Sequence, residues 1–286
     1  MFTGCDIIKA KVNTNDLVHL LTTIQRPQIV LGKPQNQIES CVLVCSDASI
    51  RSCSLVRDLT SLTSVSCSLV EPVDEQFGIP IANIDKTLGV LRQHGGVVAV
   101  EVVDSNKIRF KSNNKTTTIE SSFNAQPYSH SRETLKEVDA KSNGFFDRIT
   151  TGINPTYTTG EGEEVKPSLS IHVSSNEMYE GLRCDTINNQ KLNMYEIEFG
   201  EESLTVEVGT EINGKTKTEI EYHTLNVFNY EKPLRLVYQG GLENVFKQYS
   251  GNCQIDIFAF PERETYFMLI QNTMDNWTVI ANTNEN

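Results

Sequence analysis

One pattern constrains this chain more than any other: a short amphipathic helix followed by several short strands, recurring four times. The plainest copy is Phe77–Glu120, FGIPIANIDKTLGVLRQHGGVVAVEVVDSNKIRFKSNNKTTTIE. Ile84, Leu88 and Leu91 stand at i, i+4 and i+7 on one helical face, with Lys86, Arg92 and Gln93 off it. Asn83 stands at the N-cap, and Gly95-Gly96 ends the helix with backbone that tolerates positive φ. The runs Val97–Val103, Lys107–Lys111 and Thr116–Glu120 follow, separated by polar turns at Asp104-Ser105-Asn106 and Ser112-Asn113-Asn114-Lys115. One such unit cannot bury its own apolar faces, so the number of copies decides the fold.

Three further copies are legible. Asn13 or Asn15 caps a first helix, with Asp16 in its opening turn and Leu17, Leu20, Leu21 and Ile24 as its apolar stripe. Pro27 stops it, residues 28–37 read as a short strand and a loop, and strands are predicted near 39–45, 49–56 and 61–70. Turns fall at Ser46-Asp47 and near Asp58. In the second half, Ser168–Val173 alternates as a strand, and Ser174 with Glu177 forms a capping box. The helix it opens runs to about Ile187 and turns Met178 and Leu182 inward, with strands predicted near 191–198 and 203–211. Asn213-Gly214 signals a hairpin between Ser203–Ile212 and Lys215–His223, and Thr224–Asn229 and Leu234–Tyr238 are further strands. After Gly240-Gly241 a fourth helix repeats Leu242, Val245, Phe246 and Tyr249, and Cys253–Phe260, Thr265–Gln271 and Asn276–Ala281 close the chain.

The helices start near 15 and 83, then near 175 and 241, offsets of about 68 and about 66 residues. Residues 124–166 show no such period; only Glu133–Val138 and Gly144–Ile149 hint at local order, and the stretch reads as a solvated linker or a partner-binding loop. The implied architecture is α+β: two similar domains, each of two helix-plus-antiparallel-strand units with helices on one face of curved sheets. The boundaries are 1–123, a long and partly flexible connector at 124–166, and 167–286.

Charge and cysteines narrow the function. A formal net charge of −12 argues against non-specific nucleic-acid binding by the whole surface, while leaving room for a local basic lining. Seven cysteines, an odd number without paired spacing, read as small buried apolar residues in a reducing compartment. No C-x-x-C pair suggests zinc, no cofactor is implied, and no apolar run approaches a membrane span. The start, MFTGCDIIKAKV, lacks the basic and apolar regions of a signal peptide, which makes an intracellular protein the expectation. There is no G-x-S-x-G elbow, Walker A or G-x-G-x-x-G motif, and the five histidines have no metal-ligand spacing. His94-Gly-Gly96 ends a helix without a paired nucleophile, and Glu161, Glu163 and Glu164 read as solvating charge. An enzyme is not expected.

Two stretches carry a resemblance. Ile79-Pro-Ile-Ala-Asn-Ile-Asp-Lys-Thr-Leu-Gly-Val-Leu91, followed by Asn106-Lys-Ile-Arg-Phe110, resembles the second helix and strands of the first domain of DNA polymerase sliding clamps, closest to those of tailed phages. Leu242-Glu-Asn-Val-Phe-Lys-Gln-Tyr249, Cys253-Gln-Ile-Asp-Ile-Phe-Ala-Phe-Pro261 and Trp277-Thr-Val-Ile-Ala281 are similar to the last helix and terminal strands of the proliferating-cell-nuclear-antigen type. The resemblance covers both ends of each domain and omits the connector.

That resemblance implies a DNA-clamp fold and a homotrimeric ring that encircles double-stranded DNA without reading sequence. It also implies a DNA polymerase and a clamp loader as partners, at sites of replication, in the cytoplasm of a prokaryotic host if the source is viral. Twelve helices would line the hole, where a few cations track phosphates. The residues implied to face DNA are His19 and Arg26 from the first helix or its end, Lys86, Arg92 and Gln93 from the second, Arg183 from the third, and Asn244, Lys247 and Gln248 from the fourth. The lining is thinly basic, with Asp16, Glu177 and Glu180 on or near the same faces. Partner peptides would insert apolar anchors into a pocket between the domains, at positions matching Ile50, Cys53, Pro261, Ile280 and Ala281, with Phe145, Phe146 and Ile149 closing it from the connector. Two alternatives stand beside this reading: a monomeric viral-type polymerase accessory subunit that holds DNA electrostatically, and an all-β structural or capsid-type protein. The first wants a strongly basic helix face, and the second does not require four helices at matched offsets.

Overall fold

The structure is a computed structural model. It describes residues 9–25, 27–30, 33–36, 38–55, 61–104, 107–121, 148–183, 194–210, 214–227, 234–239, 242–260, 265–273 and 276–281. The chain divides into two compact units. One comprises Met1–Gln25, Ile38–Ser54 and Ser64–Lys141; the other comprises Arg26–Gln37, Leu55–Thr63 and Ser142–Asn286.

In the first unit, β1 (Lys9–Asn13) leads into α1 (Thr14–Gln25). Asn13 is the cap: its Oδ1 accepts from the Asn15 amide at 2.9 Å. Leu17, Leu20, Leu21 and Ile24 are fully buried, as their spacing requires. The run β4 (Cys41–Leu55) reverses at Asp47, a non-glycine residue at φ 46°, so that Ser52 Oγ reaches the Val42 carbonyl at 2.9 Å. The turn expected at Ser46-Asp47 is therefore present. Where a break between strands was expected, β5 (Ser61–Ile81) instead runs without interruption through Glu71–Gln76. Those six side chains are exposed except half-buried Val73, so no alternation marks them as strand.

Helix α2 (Ile84–Leu91) then forms under the Asn83 cap, whose side chain accepts from the Lys86 amide at 2.7 Å. Ile84, Leu88 and Leu91 are buried, and Gly96 takes φ 70° as the chain leaves the helix. β6 (Val97–Asp104), β7 (Lys107–Ser112) and β8 (Lys115–Glu120) follow as an antiparallel meander beside β1, and β8 ends the sheet. The core joins both helices to the inner faces of these strands. His94 seals one end, its ring nitrogens meeting Ser112 Oγ at 2.9 Å and Thr117 Oγ1 at 3.0 Å. Burial, and then Lys115, lowers its pKa below 6.5. The unfolded chain takes the proton more readily than the folded one, so stability is lost as pH falls below 6.5. His94→Gln is expected to flatten the urea midpoint between pH 7.5 and 5 relative to the parent; an unchanged slope would show that His94 contributes nothing to it.

Residues 28–37, read as a strand and a loop, hold a hairpin of β2 (Pro27–Val30) and β3 (Lys33–Asn36). Within 124–166, where no period was legible, the structure places a three-stranded meander: β9 (Ile149–Thr150), β10 (Thr156–Thr158) and β11 (Glu164–Val165). Strands of two or three residues are too short to show periodicity. The hint at Glu133–Val138 lies outside the described residues, as do Asp58, Asn213, Gly240-Gly241 and Ile187.

The remaining elements belong to the second unit. β12 (Leu169–Ser174) feeds α3 (Ser175–Arg183), with Ser174 Oγ accepting from the Glu177 amide at 3.3 Å. β13 (Met194–Phe199), β14 (Ser203–Thr210), β15 (Gly214–Glu221) and β17 (Leu234–Gln239) form one sheet in the order β15-β14-β13-β17. β16 (His223–Val227) lies beside β12. After α4 (Leu242–Gln248) come β18 (Asn252–Phe260), β19 (Thr265–Gln271) and β20 (Trp277–Ala281), giving the order β16-β12-β18-β19-β20. Met178, Leu182, Leu242, Val245, Phe246 and Tyr249 are all buried in this unit's core. Cys41, Cys45 and Cys253 are buried, and desolvation pushes their thiols up to about 12. Among the described residues no helix is long and apolar enough to cross a membrane.

Candidate functional site

Because the apolar stripe of each helix is buried, its opposite face is fixed. His19 on α1 is exposed, as are Lys86 on α2 and Arg92 and Gln93 just after it. Gln93 accepts from Lys115 Nζ at 2.7 Å and donates to the Gly89 carbonyl at 3.2 Å. Arg183 and Lys247 are exposed, while Gln248 and Asn244 are half-buried. Arg26 lies outside the described residues. Asp16, Glu177 and Glu180 are also exposed, so the thinness of the basic lining persists.

Two of the expected cations meet around a residue that sequence reasoning missed. The Arg183 guanidinium stands 5.8 Å and Lys247 Nζ 5.9 Å from the centre of the Tyr179 ring. Residues 179 and 183 are one turn apart on α3, and α4 packs beside α3 to bring in Lys247. Arg183 also pairs with Glu180 at 3.2 Å. The i, i+4 Tyr–Arg spacing was the available signal.

The residues assigned to a partner pocket are described within each unit in turn. Ile50 is in the first unit's core, and Cys53, three positions on, is half-buried with its Sγ 3.7 Å from Ser64 Oγ. Ile280 packs into the second unit's core opposite Met268, while Ala281 faces the other way opposite Phe267. Neighbours on a strand point to opposite faces, so Ile280 and Ala281 face opposite sides of the sheet. Phe145, Phe146 and Pro261 lie outside the described residues.

An aromatic patch gathers on that other face of β18 and β19. Phe258, Phe267 and Ala281 form a row across the three strands. The rings of Phe258 and Phe267 stack at 4.7 Å, and Phe260 lies 5.4 Å from Phe267. Tyr157 of β10 meets Phe260 at 5.6 Å and Phe267 at 5.4 Å, both edge-on. Ile149, one of the expected pocket residues, is the register partner of Tyr157. Tyr157, Phe260, Ile149 and Ala281 are all half-buried, which leaves apolar surface within reach of a ligand.

A buried polar cluster adjoins this patch on the same sheet face. Asp256 is fully buried and accepts from Ser170 Oγ at 2.6 Å, from Gln254 Nε2 at 3.0 Å and from Gln271 Nε2 at 2.8 Å. Burial pushes its carboxyl up; the hydrogen bonds from Ser170, Gln254 and Gln271, and nearby His172, pull it back.

The chain matches no protein-family model and no curated protein. Solved structures do match it along its length. It is similar to the DNA polymerase sliding clamp of Caulobacter crescentus, with a TM-score of 0.61 and 13% identity over 100% of this chain and 68% of that one. The DNA polymerase III subunit beta of Pseudomonas aeruginosa matches at a TM-score of 0.64 and 12% identity, over 99% and 68%. A putative beta subunit from Eubacterium rectale matches at 0.62 and 9%, over 100% and 68%. The chain has the sliding-clamp fold.

Proposed function

We propose that this chain is a sliding clamp, a processivity factor that encircles duplex DNA and tethers the replicative polymerase, with no catalysis of its own. The observation that carries this reading is the set of four helices among the described residues of a sliding-clamp fold, each burying its apolar stripe and leaving a thinly charged opposite face. Lys86, Arg92, Arg183 and Lys247, with His19, Arg26, Gln93 and Gln248, supply the phosphate contacts. So sparse a lining suits a tether held by topology, not by affinity. In this reading residues 1–123 and 167–286 act as the two clamp domains and 124–166 as their connector. The clamp is a homotrimer placed on DNA by a loader, and it works at replication sites, in a prokaryotic host's cytoplasm if its source is viral. Partner segments dock on the aromatic patch around Tyr157, Phe260 and Phe267.

The joint between copies follows from the sheet ends. Among the described residues β8 and β15 each end their sheets and have a strand on one side only. Both run from lysine to glutamate, KTTTIE in β8 and GKTKTEIE in β15. Laid antiparallel with Ile119 and Ile220 on the inner face, Glu120 meets Lys215 or Lys217, and Lys111 beside Thr116 approaches Glu219 and Glu221. Parallel pairing would oppose like charges.

Light scattering at low and moderate salt tests the ring. Three times 32.1 kDa at both salts is the expected mass. In addition, the loaded protein should stay on circular DNA and run off a linear form. A single-chain mass at every concentration, with equal retention on both DNA forms, would replace the ring with the monomeric accessory subunit.

A further inference from the structure

We infer that Asp256 is a positioning residue for partner docking: through Gln254 and Gln271 it grips the β9–β10 turn of the connector and so holds Tyr157 in the aromatic patch. This rests on the patch being the docking surface.

The geometry is specific. Gly152 lies in the turn between Thr150 and Thr156, which pair across β9 and β10. Its φ of 118° is a conformation that side chains rarely adopt. Its amide donates to Gln271 Oε1 at 2.7 Å, and its carbonyl accepts from Gln254 Nε2 at 3.2 Å and Gln271 Nε2 at 3.3 Å. Gln254 Nε2 also reaches the Ile153 carbonyl at 3.4 Å. Both glutamine amides must therefore turn their nitrogens toward the turn and toward Asp256 at once, and only an acceptor at 256 permits it. Ser170 adds a third donor to that carboxyl.

The placement explains why a carboxyl sits there. Cys253, Ile255 and Ile257 of β18 fill the core, so Gln254, Asp256 and Phe258 point to the opposite face. That face would ordinarily be wet. Here Gln254, Asp256 and Gln271 are all buried, in the neighbourhood of the connector turn they hold. An uncompensated carboxyl is costly to bury, and a hydrophobic residue would pack more cheaply. What the carboxyl supplies is direction: it fixes both amides, they fix Gly152, and five residues on Tyr157 lands between Phe260 and Phe267.

The test uses the full chain. Asp256→Asn keeps the shape but can present its NH2 to the glutamine donors. Amide hydrogen exchange across 149–158 should rise roughly tenfold to a hundredfold, as for loss of one or two charge-assisted bonds. Exchange in α4 should stay as in the parent. A fluorescein-labelled dodecapeptide with three apolar anchors should bind roughly tenfold more weakly, as for one such bond. Gly152→Ala, which strains the turn at its positive φ and leaves the sequence of β18 and β19 unchanged, should loosen the same segment. The double variant Asp256→Asn with Gln271→Glu restores a donor facing an acceptor between 256 and 271 but turns a carboxylate toward the Gly152 carbonyl, so 149–158 should stay loosened; recovered protection there would overturn the grip in favour of simple packing between the two strands. Unchanged exchange at 149–158 in Asp256→Asn, or loosening spread over all of β18 and β19, overturns the inference. A parent chain that binds no peptide, with 149–158 still loosened by Asp256→Asn, overturns the docking reading and supports the grip on the connector.

Discussion

Proline at one of two adjacent positions, Lys217 or Thr218, should turn the three-chain assembly into single chains, while proline at the other should unravel a hairpin. Successive amides of a strand point to alternate sides. On one side β15 pairs with β14, Lys217 opposite Glu207 and Thr218 opposite Val206; among the described residues its other side carries no strand. One amide of the two is therefore committed to β14 and the other is available to β8 of a neighbouring copy. Removing a ladder bond costs about 1–3 kcal/mol, roughly 5- to 150-fold in pairwise association. A closed ring has several such joints, so the losses compound. The committed-side variant should melt earlier. The free-side variant should melt like the parent yet scatter as a single chain. Two variants that both keep the assembled mass would remove β15 from the joint.

A second pair of adjacent residues should separate stability from DNA retention. Phe246 is 1% exposed in the second unit's core, and Phe246→Ala should cost about 3–5 kcal/mol. That is a large share of the roughly 5–15 kcal/mol by which a domain is stable. Lys247, the next residue, is exposed beside the Tyr179 ring, and Lys247→Ala should stay within about 0.5 kcal/mol of the parent. Its effect belongs on DNA: the slope of log affinity against log salt, measured before ring closure, should shrink by about one per lost phosphate contact. A Lys247→Ala slope equal to the parent's would place this lysine on a merely solvated face.

The helices were legible because their core contacts fall at helical spacing, the full i, i+3, i+4 and i+7 set in the first and fourth and part of it in the second and third. Leu17, Leu20, Leu21 and Ile24 could be read without any tertiary information, and all are buried. Strands with one wet face were nearly as clear. What escaped was structure whose order comes from its partners. The meander at 149–165 has strands of two or three residues, and Tyr157 stands alone in a Thr-Tyr-Thr run. In the sequence Asp256 is one polar position among apolar ones in the Cys253–Phe260 run, with nothing of its own to mark it. Its one clue was company: Gln254 and Gln271 are uncharged amides at register-paired positions in otherwise apolar strands. Among the partner positions carried over by resemblance, alternation sends Ile280 inward and Ala281 outward.

The register of β19 against β20 also equips the molecule with its own optical gauge. The chain contains a single tryptophan, Trp277, and it stands directly opposite Gln271, one of the two amides that grip the connector turn. Its indole is 6% exposed, so its emission belongs to a dry, hydrogen-bonded neighbourhood and shifts to the red if water enters there. The first unit holds no tryptophan. Unfolding followed by indole emission therefore reports on the second unit alone, and circular dichroism on both, so comparing the two curves reads the order in which the units melt without attaching a label.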